Sequence, residues 1–168
     1  GPPDRRSEKL PMEKRTTLML LDTYGLVYRA FFALPPLTTT KGVPINAAYG
    51  FTMMLNKVIA DEAPTYLIAC FDKGMPQARV DMYPQYKAQR TEMPSDLRPQ
   101  FALVRQVLGV FNIPILEVTG EEADDVIATL ARQASEHIED VQTLVVTGDL
   151  DLLQIVNDKV TALVTRRG

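Results

Sequence analysis

Three short apolar runs in this chain each close on an aspartate. Leu18-Met19-Leu20-Leu21 leads to Asp22, Tyr66-Leu67-Ile68-Ala69-Cys70-Phe71 leads to Asp72, and Leu144-Val145-Val146-Thr147-Gly148 leads to Asp149. A further stretch, Glu121-Glu122-Ala123-Asp124-Asp125, holds four acids in five residues, and Asp151 follows two positions after Asp149. Carboxylates that converge repel by about 4 kcal/mol per pair at roughly 4 Å and a surface-like dielectric, so a divalent cation is their natural compensation. Mg²⁺ takes oxygen ligands and keeps several waters, which suits a loose ring of carboxylates. Two such ions can activate a water and stabilise the leaving oxygen of a phosphodiester, a reaction that needs no histidine. Blander readings stand beside this one. Any one of the three aspartates alone reads equally well as a turn or cap residue after a strand. Thr119 with Glu122 fits a capping box, and first-turn acids meet the helix dipole, which accounts for one or two of the four acids.

Convergence requires that the runs be parallel neighbours. A short, continuously apolar run reads as a strand buried on both faces, the pattern of parallel sheets covered by helices. In such sheets the carboxyl ends of the strands share one edge, where ligands bind. Strands are expected at residues 17–21, from after Pro64 to Asp72, at 115–118, before Asp149 and at 160–164. Between them fall helices at residues 24–34, stopped by Pro35-Pro36; from Asn46 as N-cap to about 60; from a Ser95 or Asp96 cap to about 110; and from the acidic stretch to about 136. The last carries Ala123, Val126, Ile127, Leu130, Ala131 and Ala134 on one stripe. Met53, Met54, Leu55 and Val58 read as core, and a short helix is expected at 152–156. This alternation predicts an α/β fold, doubly wound, with a mostly parallel central sheet and helices on both faces.

Composition narrows the chemistry. At 168 residues, 46% hydrophobic and 23% charged, the chain suits one ordinary globular domain. No apolar stretch approaches the roughly 18 residues of a membrane span. A single cysteine excludes an internal disulfide, and one histidine with one cysteine argues against zinc sites and cysteine–histidine catalysis. Cys70, inside an apolar run, reads as a buried small hydrophobe, and His137 as a surface residue. Any metal must be bound by oxygen. The net charge of −3 is unevenly spread: acids gather at the proposed site, while Arg79, Lys87, Arg90 and Arg98 share a stretch with only three acids.

Periodicity is lost between about residues 73 and 96, and loops of that length inside a compact domain are often functional. Arg79, Lys87 and Arg90 could hold phosphates there, and Tyr83 and Tyr86 could stack on bases. On composition alone a solvated surface loop explains the stretch more readily. Arg29, on the helix after Asp22, could reach a phosphate or simply pair with an acid.

Five segments then make the chain resemble a known family. They are Asp22 with Tyr28-Arg29-Ala30-Phe31-Phe32-Ala33-Leu34; Phe71-Asp72; Tyr83-Pro84-Gln85-Tyr86-Lys87-Ala88-Gln89-Arg90; Glu122-Ala123-Asp124-Asp125; and Thr147-Gly148-Asp149-Leu150-Asp151-Leu152-Leu153. In this order and spacing they resemble the 5′-nuclease family, the N-terminal 5′→3′ exonuclease domain of bacterial DNA polymerase I and its flap-endonuclease relatives. The resemblance implies a PIN-like fold with a helical arch at about 73–96. It implies hydrolysis of 5′ flaps and 5′ ends of DNA, and of RNA primers on DNA, with two Mg²⁺ or Mn²⁺ ions. Asp22, Asp72, Glu122, Asp124, Asp125, Asp149 and Asp151 would be direct or water-mediated metal ligands. Lys87 and Arg90 would grip the scissile phosphate as catalytic residues, with Arg29, Arg79, Tyr83 and Tyr86 as further nucleic-acid contacts. It also implies a monomer in the bacterial cytoplasm, associated with the nucleoid, with a polymerase domain fused in a longer parent.

The chain departs from the family at Thr23-Tyr24-Gly25, where glycine usually follows the aspartate directly, and at Leu150, where lysine is usual. Residues 1–16 read as a leader, with Gly1-Pro2 resembling a protease-cleavage scar, and 17–168 as the nuclease domain, ending before the family's helix-hairpin-helix region and its two further aspartates. Two rival functions follow: an inactive module that binds branched DNA or a protein, and a PIN-type ribonuclease, which the arch-like stretch disfavours.

Overall fold

The computed structural model describes residues 15–72 and 93–165. Strand β1 (Thr16–Asp22) passes directly into helix α1 (Thr23–Ala33), and helix α2 (Asn46–Glu62) leads to β2 (Tyr66–Asp72). Then come α3 (Gln100–Val110), β3 (Ile115–Val118), α4 (Ala123–His137), β4 (Val141–Thr147), a 3₁₀ helix (Leu150–Ile155) and β5 (Val160–Val164). The strands form one sheet in the order β3-β2-β1-β4-β5, and every neighbouring pair is parallel. The chain winds outward from β1 in one direction, then returns to wind outward in the other. This is the expected doubly wound α/β architecture.

Strand alternation explains why the runs are apolar throughout. Met19 and Leu21 of β1, with Ala69, Phe71, Leu144 and Val146, pack against α1, α2 and α3. Leu18 and Leu20, with Cys70 and Val145, pack on the other face against Val126, Ile127, Ala131 and Ala134 of α4. Each such fully buried aliphatic side chain contributes about 1.5–3 kcal/mol, so a strand apolar on both faces is worth more inside a two-sided sheet than anywhere else. α1 stops at Ala33 because Leu34 precedes proline and adopts extended backbone (φ −113°, ψ 147°).

Helix starts depart from expectation. Asn46 does not cap α2; Ile45 occupies that position, with no side-chain cap. Asn46 is buried, and its Nδ2 donates to the carbonyls of Phe31 at 3.0 Å and Leu34 at 3.4 Å. Its Oδ1 accepts from Gln100 Nε2 at 2.8 Å, while Gln100 Oε1 accepts from the Ala48 N–H at 2.9 Å. Carbonyls at the end of α1 lack helical donors, and this pair serves them while tying three helix ends together. α3 begins at Gln100 after turns bonded to Pro94 and Leu97, and no Ser95 or Asp96 side chain caps it. On α2, Leu55 and Val58 are buried as expected, but Met53 faces solvent. No described helix is long and apolar enough to cross a membrane.

Candidate active site

Asp22 ends β1 and Asp72 ends β2; both are buried. Because side chains alternate along a strand, Asp22 shares the face of Leu18 and Leu20, Asp72 that of Cys70, and Thr147 that of Val145. All three therefore face the α4 side. The register sets Asp22 opposite Cys70 and Leu21 opposite Val146, which brings these ends side by side.

Specific hydrogen bonds hold the carboxylates. Thr147 Oγ1 donates to Asp22 Oδ2 at 2.9 Å and accepts from the Asp149 N–H at 2.9 Å. Asp149 Oδ1 accepts from the Asp151 N–H at 2.9 Å, opening the 3₁₀ helix. Asp149 Oδ2 is buried and has no partner among the described residues. Asp72 Oδ1 accepts from the backbone N–H of Ala123, the first residue of α4. The expected Thr119–Glu122 capping box is thus replaced: Glu122 is the N-cap without a side-chain cap bond, and a strand carboxylate meets the positive end of the helix. Gly120, at φ +83°, supplies the turn that delivers Glu121 and Glu122 to this point.

Burial of the acids is graded. Asp22 and Asp72 are buried, Glu122, Asp124 and Asp149 are half-buried, and Asp125 and Asp151 are exposed. Among the described residues no three acidic, histidine or cysteine side chains stand close enough to cage an ion directly. The donors at this edge are nonetheless all oxygen, and one of them, Asp149 Oδ2, is buried and unmatched. That set fits a hard cation that keeps much of its water and takes one or two carboxylates directly.

Arg29 reaches the same edge from α1. Its side chain crosses Gly148 so closely that a Cβ there would lie 2.7 Å from Arg29 Cδ. It is exposed and forms no ion pair among the described residues. Lys87, Arg90, Arg79, Tyr83 and Tyr86, with most of the expected arch, lie outside the described residues.

Both family departures have simple local outcomes. Asp22 has φ −83°, and Thr23 has no positive φ, so nothing at the β1–α1 junction demands glycine. Leu150 is exposed at the start of the 3₁₀ helix. Cys70 is buried, and its thiol is pushed up to about 12 by burial and, secondarily, by the charge of Asp22. It stays protonated and unreactive, as its apolar surroundings suggest. His137 is exposed at the end of α4.

Thr147, the Ala123 N–H and Arg105 support the site, a role that the sequence alone does not assign them. A hydroxyl in an apolar strand, in phase with a neighbouring strand's terminal aspartate, was the available sign for Thr147. Arg105 lies 4.4 Å over the Phe71 ring and bonds Glu117 Oε1 at 3.0 Å, steadying the residue before Asp72.

Known proteins are similar to this chain in sequence and in fold. DNA polymerase I of Mycobacterium bovis is 48% identical over 162 residues, covering 94% of this chain and 18% of that protein. The chain therefore spans about a fifth of that relative's length. Zinc-bound T5 5′-exonuclease superposes with a TM-score of 0.58 at 21% identity, over 88% of this chain and 55% of that one. The catalytic core of Rad2 in complex with a DNA substrate does so with a TM-score of 0.53 at 18% identity, over 90% and 45%. At these identities the two structures speak for the fold alone, which is PIN-like. The family model of the 5′-3′ exonuclease, N-terminal resolvase-like domain matches residues 17–167. With nearly the whole chain matched, from the start of β1 past the end of β5, this protein belongs to that 5′-3′ exonuclease N-terminal domain family.

Proposed function

We propose that this domain is a metal-dependent 5′→3′ exonuclease and structure-specific 5′-flap endonuclease that hydrolyses phosphodiesters in DNA and RNA primers during replication and repair. The observation that carries the reading is that Asp22 and Asp72 end neighbouring parallel strands at one sheet edge, where Thr147 links Asp22 to the Asp149 backbone and Asp72 meets the acidic start of α4. The relatives support it: one is named DNA polymerase I, and the structural neighbours include zinc-bound T5 5′-exonuclease and the catalytic core of Rad2 with a DNA substrate.

In this reading Asp22, Asp72, Glu122, Asp124, Asp125, Asp149 and Asp151 would hold Mg²⁺ or Mn²⁺, directly or through water. Two bound ions would supply an activated water and neutralise the leaving oxygen. The chain's own groups do the rest. Thr147 fixes the Asp22 carboxylate, the α4 N-terminus orients Asp72, and Arg29 meets a phosphate. Lys87 and Arg90 grip the scissile phosphate, and Arg79, Tyr83 and Tyr86 guide the strand. The setting is a bacterial cytoplasm, with a polymerase domain as fused partner.

The test is incubation with a labelled 5′-flap duplex in Mg²⁺ or Mn²⁺. Shortened products that vanish in EDTA and in Asp149→Asn are expected; products that persist in Asp149→Asn would remove the site from the mechanism. One observation favours a second reading, that of a binding module: among the described residues no three acidic side chains stand close enough to cage an ion directly. Tight flap binding with no product in either metal would select it.

A further inference from the structure

Gly148 lies between Thr147 and Asp149, both bound into the carboxylate network, yet its backbone does not need a glycine. Its φ is not positive, unlike those of Gly42 and Gly120. What excludes a side chain there is one neighbour. A Cβ would meet Arg29 Cδ at 2.7 Å and Arg29 Nε at 3.5 Å, with Thr165 Oγ1 at 3.7 Å. Thr165 is at ordinary contact distance, so the conflict is with Arg29 alone. An arginine stem near its tip is flexible and moves cheaply. A methyl group at 148 would therefore cost the fold little but would shift the guanidinium.

Arg29 sits on α1, which leaves the sheet directly after Asp22, whereas Gly148 follows β4. The bare Cα of Gly148 is a slot that lets a cation from one element cross the neighbouring strand end beside Asp149. Among the described residues Arg29 has no acidic partner, and its stem lies directly against the bare Cα of Gly148. A guanidinium held this way presents its planar fork of donors to two oxygens of one oxyanion, and a backbone phosphate offers such a pair.

Resting on the nuclease reading above, we propose that Gly148 is a positioning residue, kept free of a side chain so that Arg29 can lie across it and contact a nucleic-acid phosphate next to Asp149. The experiment compares the unaltered chain, Gly148→Ala, Arg29→Ala and the double variant. It measures binding of a fluorescent 5′-flap duplex in EDTA over a range of salt, together with thermal melting. Gly148→Ala and Arg29→Ala should each weaken binding about tenfold, the loss of one charge-assisted hydrogen bond. Each should lower the salt slope by about one. The double variant should bind no more weakly than either single one, because both changes remove the same contact. Gly148→Ala should melt at or slightly above the unaltered chain, since alanine restricts the unfolded state.

Unchanged binding by Gly148→Ala overturns the proposal, as does a double variant whose loss is the product of the two single losses. A Gly148→Ala protein that melts well below the unaltered chain also overturns it, because the glycine would then serve folding. If the unaltered chain binds no flap DNA, the nuclease reading is what fails. The Arg29 Nε–Hε resonance then decides the positional claim: displaced in Gly148→Ala it upholds the slot, unmoved it overturns it.

Discussion

Strands β1 and β2 end in opposite kinds of surface. At their amino ends Leu18, Leu67 and Ile68 join Ile113, Pro114 and Leu130 around an open apolar cleft of about 800 Å³. At their carboxyl ends, only a few residues away, Asp22 and Asp72 are buried in a polar network with Thr147 and the start of α4. The apolar end is held by area, which is additive and forgiving. The polar end is held by single directed bonds, and each has a partner that loses satisfaction when it breaks. Changes at the apolar end should therefore cost stability alone, whereas changes at the polar end should reach the chemistry as well.

The sharpest way to break this comparison is at the half-buried acids. Asp149→Asn or Asp124→Asn should lower flap cleavage by at least about a hundredfold, measured on a labelled substrate in Mg²⁺. Melting without metal should hold or rise, because a like charge is removed. Thr147→Val keeps the shape but removes the hydroxyl that donates to Asp22 Oδ2 and accepts from the Asp149 N–H. It should cost about 1–3 kcal/mol in urea unfolding and also depress cleavage. At the apolar end, Leu130→Ala should cost about 1–2 kcal/mol and leave cleavage per folded molecule unchanged. A loss of cleavage there would mean that the two ends are coupled.

The smallest effect is at Cys70, whose thiol is pushed up to about 12 by burial and by Asp22. The folded state binds that proton more tightly than the unfolded state. Its contribution is therefore complete below the ordinary thiol value of 9.0 and declines as the pH rises toward 12. At about pH 9.5 the loss should be under about 1 kcal/mol, and Cys70→Ala should flatten that alkaline decline in urea titrations.

Much of the sheet was legible because its signal is local. The runs at 115–118 and 160–164 became β3 and β5 with those bounds, and the uninterrupted apolar character of β1 reported its burial on both faces. The helix starts were less legible, because their caps are not local. Asn46 looks like a cap but serves carbonyls of α1, while α4 takes its acceptor from Asp72, 51 residues earlier. The same holds for the candidate site. Which edge carries the carboxylates follows from parallel strands, but the Thr147–Asp22 bond joins residues 125 apart and no spacing rule announces it. Gly148 read as part of a motif; that Arg29 crosses it is a tertiary fact.

The graded burial of the acids carries a consequence for how this domain tolerates change. Asp125 and Asp151 touch water and can be exchanged for other polar residues with little disturbance to their surroundings. Asp22, in the central strand and hydrogen-bonded to Thr147, has no such latitude: any replacement must fit a closed space and answer a buried hydroxyl. Natural variation and random mutagenesis should therefore erode this edge from the rim inward, leaving the middle strand's aspartate as the last position to drift.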